Sequence, residues 1–461
     1  MERLRADSAT LLIIILSLTA AFILTDLIHR IKRWRRLRHI PGPSLAGWTS
    51  LWLTRRFIAY KVFDYMIDLS EKYGPLVRVA PNTVICTDID TLYRISGART
   101  LYKKSKWYNI TRIIPNSNNI LSIRDPEARK QRLRHILPGY TCKPTTCDSY
   151  PSAFEAGTHR ALTSFIYLIE SKYLSTANSF RPMDFSEKCQ FYTLDAFGKR
   201  AYTESFGTLQ NDKDVLAHQA NGTKPDAKKR REDMLQSFID HGLEGDELVH
   251  EVAMSFFVAS DTLASSLRLT SLLLLTHPRG YAGLQRELDS ALPPTPSDCL
   301  LTAAQTKSVG YLQCVIKESL RLFPASATLP FSKEVPEQGD TLCGYNIPGG
   351  TEVSTGSVIY AMGREKKVWG EDADIFRPER WEEQDEEALS KMNRAWELVF
   401  GSGRFVCVGR GIGMMELGIV IGELVRRYDW SLPNTFHLPQ AVNTTVWEVH
   451  GLVVKVERRK K

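Results

Sequence analysis

A single cysteine, Cys407, stands among glycines in the run Phe400-Gly401-Ser402-Gly403-Arg404-Phe405-Val406-Cys407-Val408-Gly409. Behind it the apolar residues Ile412, Met415, Leu417, Ile419, Val420 and Leu424 predict a helix. Glycines let a backbone turn closely around a bulky group. A thiol at a helix N-terminus meets unpaired amides and the positive end of the dipole, which lowers its pKa and makes it an electron-rich metal ligand. The competing reading is a buried cysteine ahead of a core helix.

The run resembles the haem-binding loop of the cytochrome P450 superfamily, Phe-x-x-Gly-x-x-x-Cys-x-Gly. That resemblance implies Cys407 as the axial ligand of a haem b iron (iron protoporphyrin IX), with Phe400 and Gly403 shaping the loop. An axial thiolate favours O–O bond cleavage at haem. The family often carries an arginine or histidine two residues before the cysteine; here Phe405 stands there, with Arg404 one step earlier. Arg129, Arg132 and Arg134, ahead of Tyr140, resemble the family's Trp-x-x-x-Arg helix without its tryptophan. Arg404, Arg132 and Arg134 are therefore the expected propionate partners, and a solvated basic helix face is the alternative for the last two.

Three further motifs carry the likeness. Glu318 and Arg321 lie three apart on one predicted helix face, as in the family's Glu-x-x-Arg motif, and Phe376-Arg377-Pro378-Glu379-Arg380-Trp381 resembles the element whose arginine joins that pair. Glu318, Arg321 and Arg380 are thus expected as a buried support, since buried charges persist only when paired. Val258-Ala259-Ser260-Asp261-Thr262-Leu263 resembles the oxygen-activation segment, Ala/Gly-Gly-x-Asp/Glu-Thr-Thr. Asp261 and Thr262 are the catalytic candidates, an acid and an alcohol able to relay protons. The other reading of Thr262 is a hydroxyl bonded back to the preceding turn. Lys72-Tyr73-Gly74-Pro75 and Gly344-Tyr345-x-Ile347-Pro348-x-Gly350-Thr351 extend the match, which is closest in texture to fungal secondary-metabolite enzymes of the pisatin-demethylase type.

The chain must position this chemistry with 461 residues, 43% hydrophobic and 24% charged, enough for a large core. A net charge of +8 without a concentrated basic face speaks against nucleic acid. The eight cysteines are scattered and suggest reduced thiols; the nearest pair, Cys142 and Cys147, reads as two free thiols before a disulfide or metal clip. Ser8 to Thr25 carries no charge, and Arg30, Lys32, Arg33, Arg35, Arg36 and Arg38 follow. About 20 apolar residues match a hydrocarbon core of about 30 Å. The basic cluster then holds the rest on the cytosolic side. A cleaved signal peptide competes, but no small-residue cleavage site ends the apolar run. The expected division is an anchor over 1–28, a stop-transfer flank over 29–40 and one monooxygenase domain over 41–461, on the endoplasmic reticulum membrane. The sequons at Asn109, Asn221 and Asn443 would face the cytosol.

Apolar spacing predicts helices over 60–72, 161–173, 190–202, 246–276, 280–292 and 311–323, a hairpin over 76–86, and short strands over 341–360. The fold expected is mainly α with a minor β portion, the cytochrome P450 fold. Thr208 to Asp233 leaves too little chain for the two helices that roof the substrate pocket in the family. A shortened roof would admit water to a site that needs to be dry. The leading reading is an anchored haem-thiolate monooxygenase, fed electrons by an NADPH-cytochrome P450 reductase and oxidising a lipophilic small molecule. Alternatives are a haem-binding but catalytically impaired truncated member, and a membrane-anchored interaction module without haem.

Overall fold

The computed structural model describes residues 2–59, 62–141, 153–214, 233–292, 299–327, 330–356, 358–436, 438–443 and 445–460. Cys142, Cys147, Asn221, the basic run 228–231 and most of the expected short roof, 215–232, lie outside them. Helices dominate and the sheets are small.

The long helix Gly245–Thr276 runs through the body. Its second half carries Leu263, Ala264, Leu267, Leu269, Leu273 and Leu274, all buried. A helix apolar on every side must be enclosed, and it packs against Phe185–Ala201, Gly310–Leu322 and Arg410–Arg427. A five-stranded sheet lies beside this bundle. It orders Leu76–Ala80, Thr83–Cys86, Glu352–Ser354, Lys333–Glu334 and Lys103–Lys104 side by side.

Several expected boundaries move. The helix expected from residue 161 begins at Ala153 and closes in a π-turn over Ile169–Tyr173. The strand region over 341–360 ends earlier, because Ile359–Met362 is a helical turn whose Ala361 and Met362 face the core. The N-terminal helix does not stop at the basic flank but spans Glu2–Arg36. Its stretch Leu12–Arg36 has a mean hydropathy of 2.2 over its most apolar window and buries none of it, so it is long and apolar enough to cross a membrane.

The flank is fastened to the body. Leu37 and Ile40 already belong to the main core. Arg78, almost wholly buried, donates to the carbonyls of Trp34 at 3.2 Å, Arg33 at 3.1 Å, Gly47 at 3.3 Å and Pro81 at 2.8 Å. It therefore satisfies carbonyls that a helix C-terminus leaves open. Trp34 stacks on Trp48 with ring centroids 5.5 Å apart. Replacing Arg78 with methionine should cost about 3 kcal/mol, the loss of several hydrogen bonds to a charged group. A thermal unfolding midpoint unchanged in that variant would contradict this account.

Candidate active site

The cysteine loop is held by its own backbone. Cys407 N–H donates to Phe400 O at 2.8 Å, and Phe405 N–H to Ser402 O at 3.1 Å. Gly403 has φ +56°, and a β-carbon there would meet Ser96 O at 2.0 Å. Only glycine allows this approach of the loop to the helix Ile89–Ser96. Cys407 as a residue is exposed, yet its thiol is set deep among protein atoms, a combination that suits a sulfur bordering a recess. Burial pushes the thiol pKa up, while the amides of Gly409 and Arg410 and the Arg410 charge pull it down, and burial prevails. The lowered pKa expected from the helix N-terminus is thus outweighed in the protein alone. A bound metal cation would reverse the balance, since a coordinating thiol is deprotonated outright.

Basic side chains gather near this loop, and the one carboxylate that acts on them, Glu251 on Lys104, is already paired with Arg132. Arg404 donates to Tyr102 O and lies over the Phe405 ring. Arg129 is close enough to Arg404 for their charges to repel, and its buried Nε has no hydrogen-bond partner. Lys104 and Lys333 stand directly opposite each other across two antiparallel strands, both buried. Like charges so placed are unfavourable. Lys104 reaches only the carbonyls of Ile120 and Leu121, at 2.8 and 2.7 Å. Lys333 reaches Thr355 Oγ1 at 3.3 Å, and burial pushes its pKa down to about 7. Unpaired charges away from water are costly. Two carboxylates beside them would offset much of this charge, and the propionates of a haem group would bring two.

Arg132 and Arg134 have other surroundings. Arg132 is paired with Glu251 at 2.6 Å and Glu247 at 2.5 Å, and Arg134 is exposed. Burial pushes the Glu251 carboxyl up to about 7 against the pull of Arg132. Of the arginine cluster it is therefore Arg129 that has an unused donor. No sequence motif marks Lys104 or Lys333; only strand pairing brings them together.

The long helix carries Asp261 and Thr262 side by side, with separate partners. Asp261 accepts from Gln190 Nε2 at 3.0 Å, and Gln190 in turn accepts from Arg268 at 2.9 Å. Thr262 Oγ1 donates to Val258 O at 2.7 Å, the back-bond weighed above. Phe257 and Val258 are exposed at 53% and 40%, so this part of the helix has an open apolar side. Nearby, His250 is buried and its Nε2 accepts from the amides of Ile113 at 2.9 Å and Ile114 at 2.6 Å, while Nδ1 meets Ser117 Oγ at 2.9 Å. Only neutral imidazole can accept there.

Beneath the loop, Glu318 takes Arg321 at 2.9 and 2.7 Å, Arg380 at 2.8 Å, the amide of Arg377 at 3.0 Å and the Trp381 indole at 3.1 Å. The two guanidiniums spend their remaining donors on Gly363, Ala373, Trp369 and Ile375 carbonyls and on Asp372. Trp369, Trp381, Trp396 and Phe400 then follow ring to ring, 5.5, 6.4 and 5.7 Å apart, up to the loop.

Glu318→Ala should cost roughly 3–5 kcal/mol, since it strands two buried arginines; thermal unfolding measures it. Burial and the Arg132 charge lower the His250 pKa. A depressed pKa adds stability that is complete above the ordinary value of about 6.5 and is lost as pH falls below it. Wild type should therefore lose stability between about pH 7 and pH 5 relative to His250→Asn; parallel curves for the two proteins would exclude this.

Residues 214–455 match the cytochrome P450 family. The chain is 30% identical to the cytochrome P450 monooxygenase ABA1 of Pyricularia oryzae over 92% of its own length and 93% of the relative's. It is 30% identical to the cytochrome P450 monooxygenase aba1 of Botryotinia fuckeliana, over 91% and 92%. A cytochrome P450 monooxygenase of Aspergillus terreus is 29% identical over 88% and 92%. The first match runs over 487 positions, more than the 461 residues here, so that relative has segments without a counterpart in this chain. With a thiol at the head of the helix Arg410–Arg427 and relatives matched nearly end to end, the chain belongs to the cytochrome P450 family and is a monooxygenase.

Proposed function

We propose that the protein is a membrane-anchored haem-thiolate monooxygenase that oxidises a lipophilic small molecule, in fungal secondary metabolism. The observation that carries this reading is the Cys407 thiol set among protein atoms at the head of a helix, with Arg404 and Lys333 over the neighbouring Phe405 ring and Arg129 beside Arg404 and Lys104. Cys407 would hold the iron of haem b; Arg129 and Arg404, backed by Lys104 and Lys333, would take its propionates. When bound, the haem supplies the oxygen chemistry, with electrons from an NADPH-dependent reductase.

The chain's own residues do the rest. The Gly409 and Arg410 amides direct donors at the sulfur and temper its charge. Thr262 spends its proton on Val258 O, leaving its oxygen free to accept. Asp261, parked on Gln190, can hold a proton one residue away. The apolar flank at Phe257 and Val258 suits a lipophilic substrate. The helix Glu2–Arg36 would hold the domain on the cytosolic face of the endoplasmic reticulum by a single pass.

The open side of the long helix and the longer relatives favour a second reading, a haem-binding member whose shortened roof impairs catalysis. Both readings expect a thiolate-type Soret band in the reduced carbon monoxide difference spectrum, lost in Cys407→Ala. An unchanged spectrum in that variant would sink both. NADPH-driven oxidation of lipophilic substrates with a reductase supports the first reading alone. In that case Thr262→Ala and Asp261→Asn should each lower turnover roughly 100-fold, the usual range for a lost proton-transfer group.

A further inference from the structure

Two thiols with no part in the chemistry above meet where an inner strand of the five-stranded sheet ends against a separate hairpin. Cys86 ends the strand Thr83–Cys86 and is fully buried; Cys343, 257 residues further on, is half-buried. Their Sγ atoms are 3.9 Å apart, and Thr91 Oγ1 lies 3.9 Å from Cys343 Sγ. Cys343 occupies the first corner of the two-residue turn between Asp340–Leu342 and Tyr345–Ile347, at φ +48°, with Gly344 following at φ +83°. Two consecutive positive φ values favour Asn-Gly or Asp-Gly. Turn geometry therefore does not call for cysteine here. Donation to Cys343, together with burial, pushes the Cys86 thiol up; acceptance of that bond pulls Cys343 down. Of the two, the more accessible sulfur is the one favoured as thiolate, the reactive form.

We propose that Cys86 and Cys343 are a redox-active pair that closes to a disulfide by exchange with a low-molecular-weight disulfide. The Cys343 thiolate attacks one sulfur of the small disulfide, whose S–S bond breaks and releases one thiolate. Cys86 then gives up its proton and attacks the Cys343 sulfur of the mixed disulfide, expelling the second small thiolate. Two protein thiols are oxidised, one small disulfide is reduced to two thiols, and the two protons end on the leaving sulfurs. The sulfurs need to approach to about 2 Å, a modest shift for a residue at a hairpin tip.

The link would join elements on which the cysteine loop rests. The hairpin presents Asp340 to the Tyr102 hydroxyl at 2.6 Å and to Arg94 at 2.9 Å, and the Tyr102 carbonyl accepts from Arg404. Cys86 leads into the helix Ile89–Ser96, whose last carbonyl faces Gly403. The test incubates the full-length haem-loaded protein in glutathione buffers of rising oxidised-to-reduced ratio, alkylates remaining thiols and maps the peptides. A Cys86–Cys343 peptide should appear with rising ratio and vanish on addition of dithiothreitol. Cys86→Ser should stop at a glutathione adduct on Cys343, and Cys343→Ser should form neither. Both cysteines alkylated at every ratio, or wild type ending with glutathione alone on Cys343, would overturn the proposal.

Discussion

A buried carboxylate between two arginines is the constraint around which the proximal half of this molecule is arranged. Glu318 and both guanidiniums are essentially without solvent contact, yet every charge has a partner and most spare donors find carbonyls. Such a cluster tolerates few arrangements. The segment Pro378–Trp381 must come to the helix Gly310–Leu322, and its tryptophan then lies in the column of rings that ends at Phe400. The floor of the cysteine loop is in this sense set by electrostatics well away from the sulfur.

Above that floor the electrostatic situation is the opposite. Lys104, Arg129, Lys333 and Arg404 have carbonyls, a hydroxyl and ring faces as partners, and among the described residues they are in no ion pair, Glu251 near Lys104 being claimed by Arg132. One network is complete within the chain, whereas the other leaves basic groups that an anionic guest would offset. This difference separates support from binding site more clearly than position in the sequence does.

The motifs were legible where one short segment held both residue type and spacing. The glycines around Cys407 and the pair Glu318 and Arg321 needed only local geometry. Helix existence was legible from apolar periodicity, and helix ends were less so. Ala153–Phe154 extends its helix because Phe154 fills a second core cluster with Phe197 and Phe238, which no local pattern records. The cations resisted reading for a related reason. Lys104 and Lys333 acquire meaning only as cross-strand partners, and Arg129 differs from Arg132 only in that Glu247 and Glu251 claim the latter. The expected fall in the Cys407 pKa failed because a helix-end argument takes no account of how deeply the sulfur is enclosed.

The junction at Arg78 has a mechanical corollary. Because Arg78, Arg36 and His39 tie the foot of the N-terminal helix to Gly47, Gly349 and Asn346, that helix cannot swivel freely against the body. In a bilayer its tilt becomes the tilt of the whole molecule.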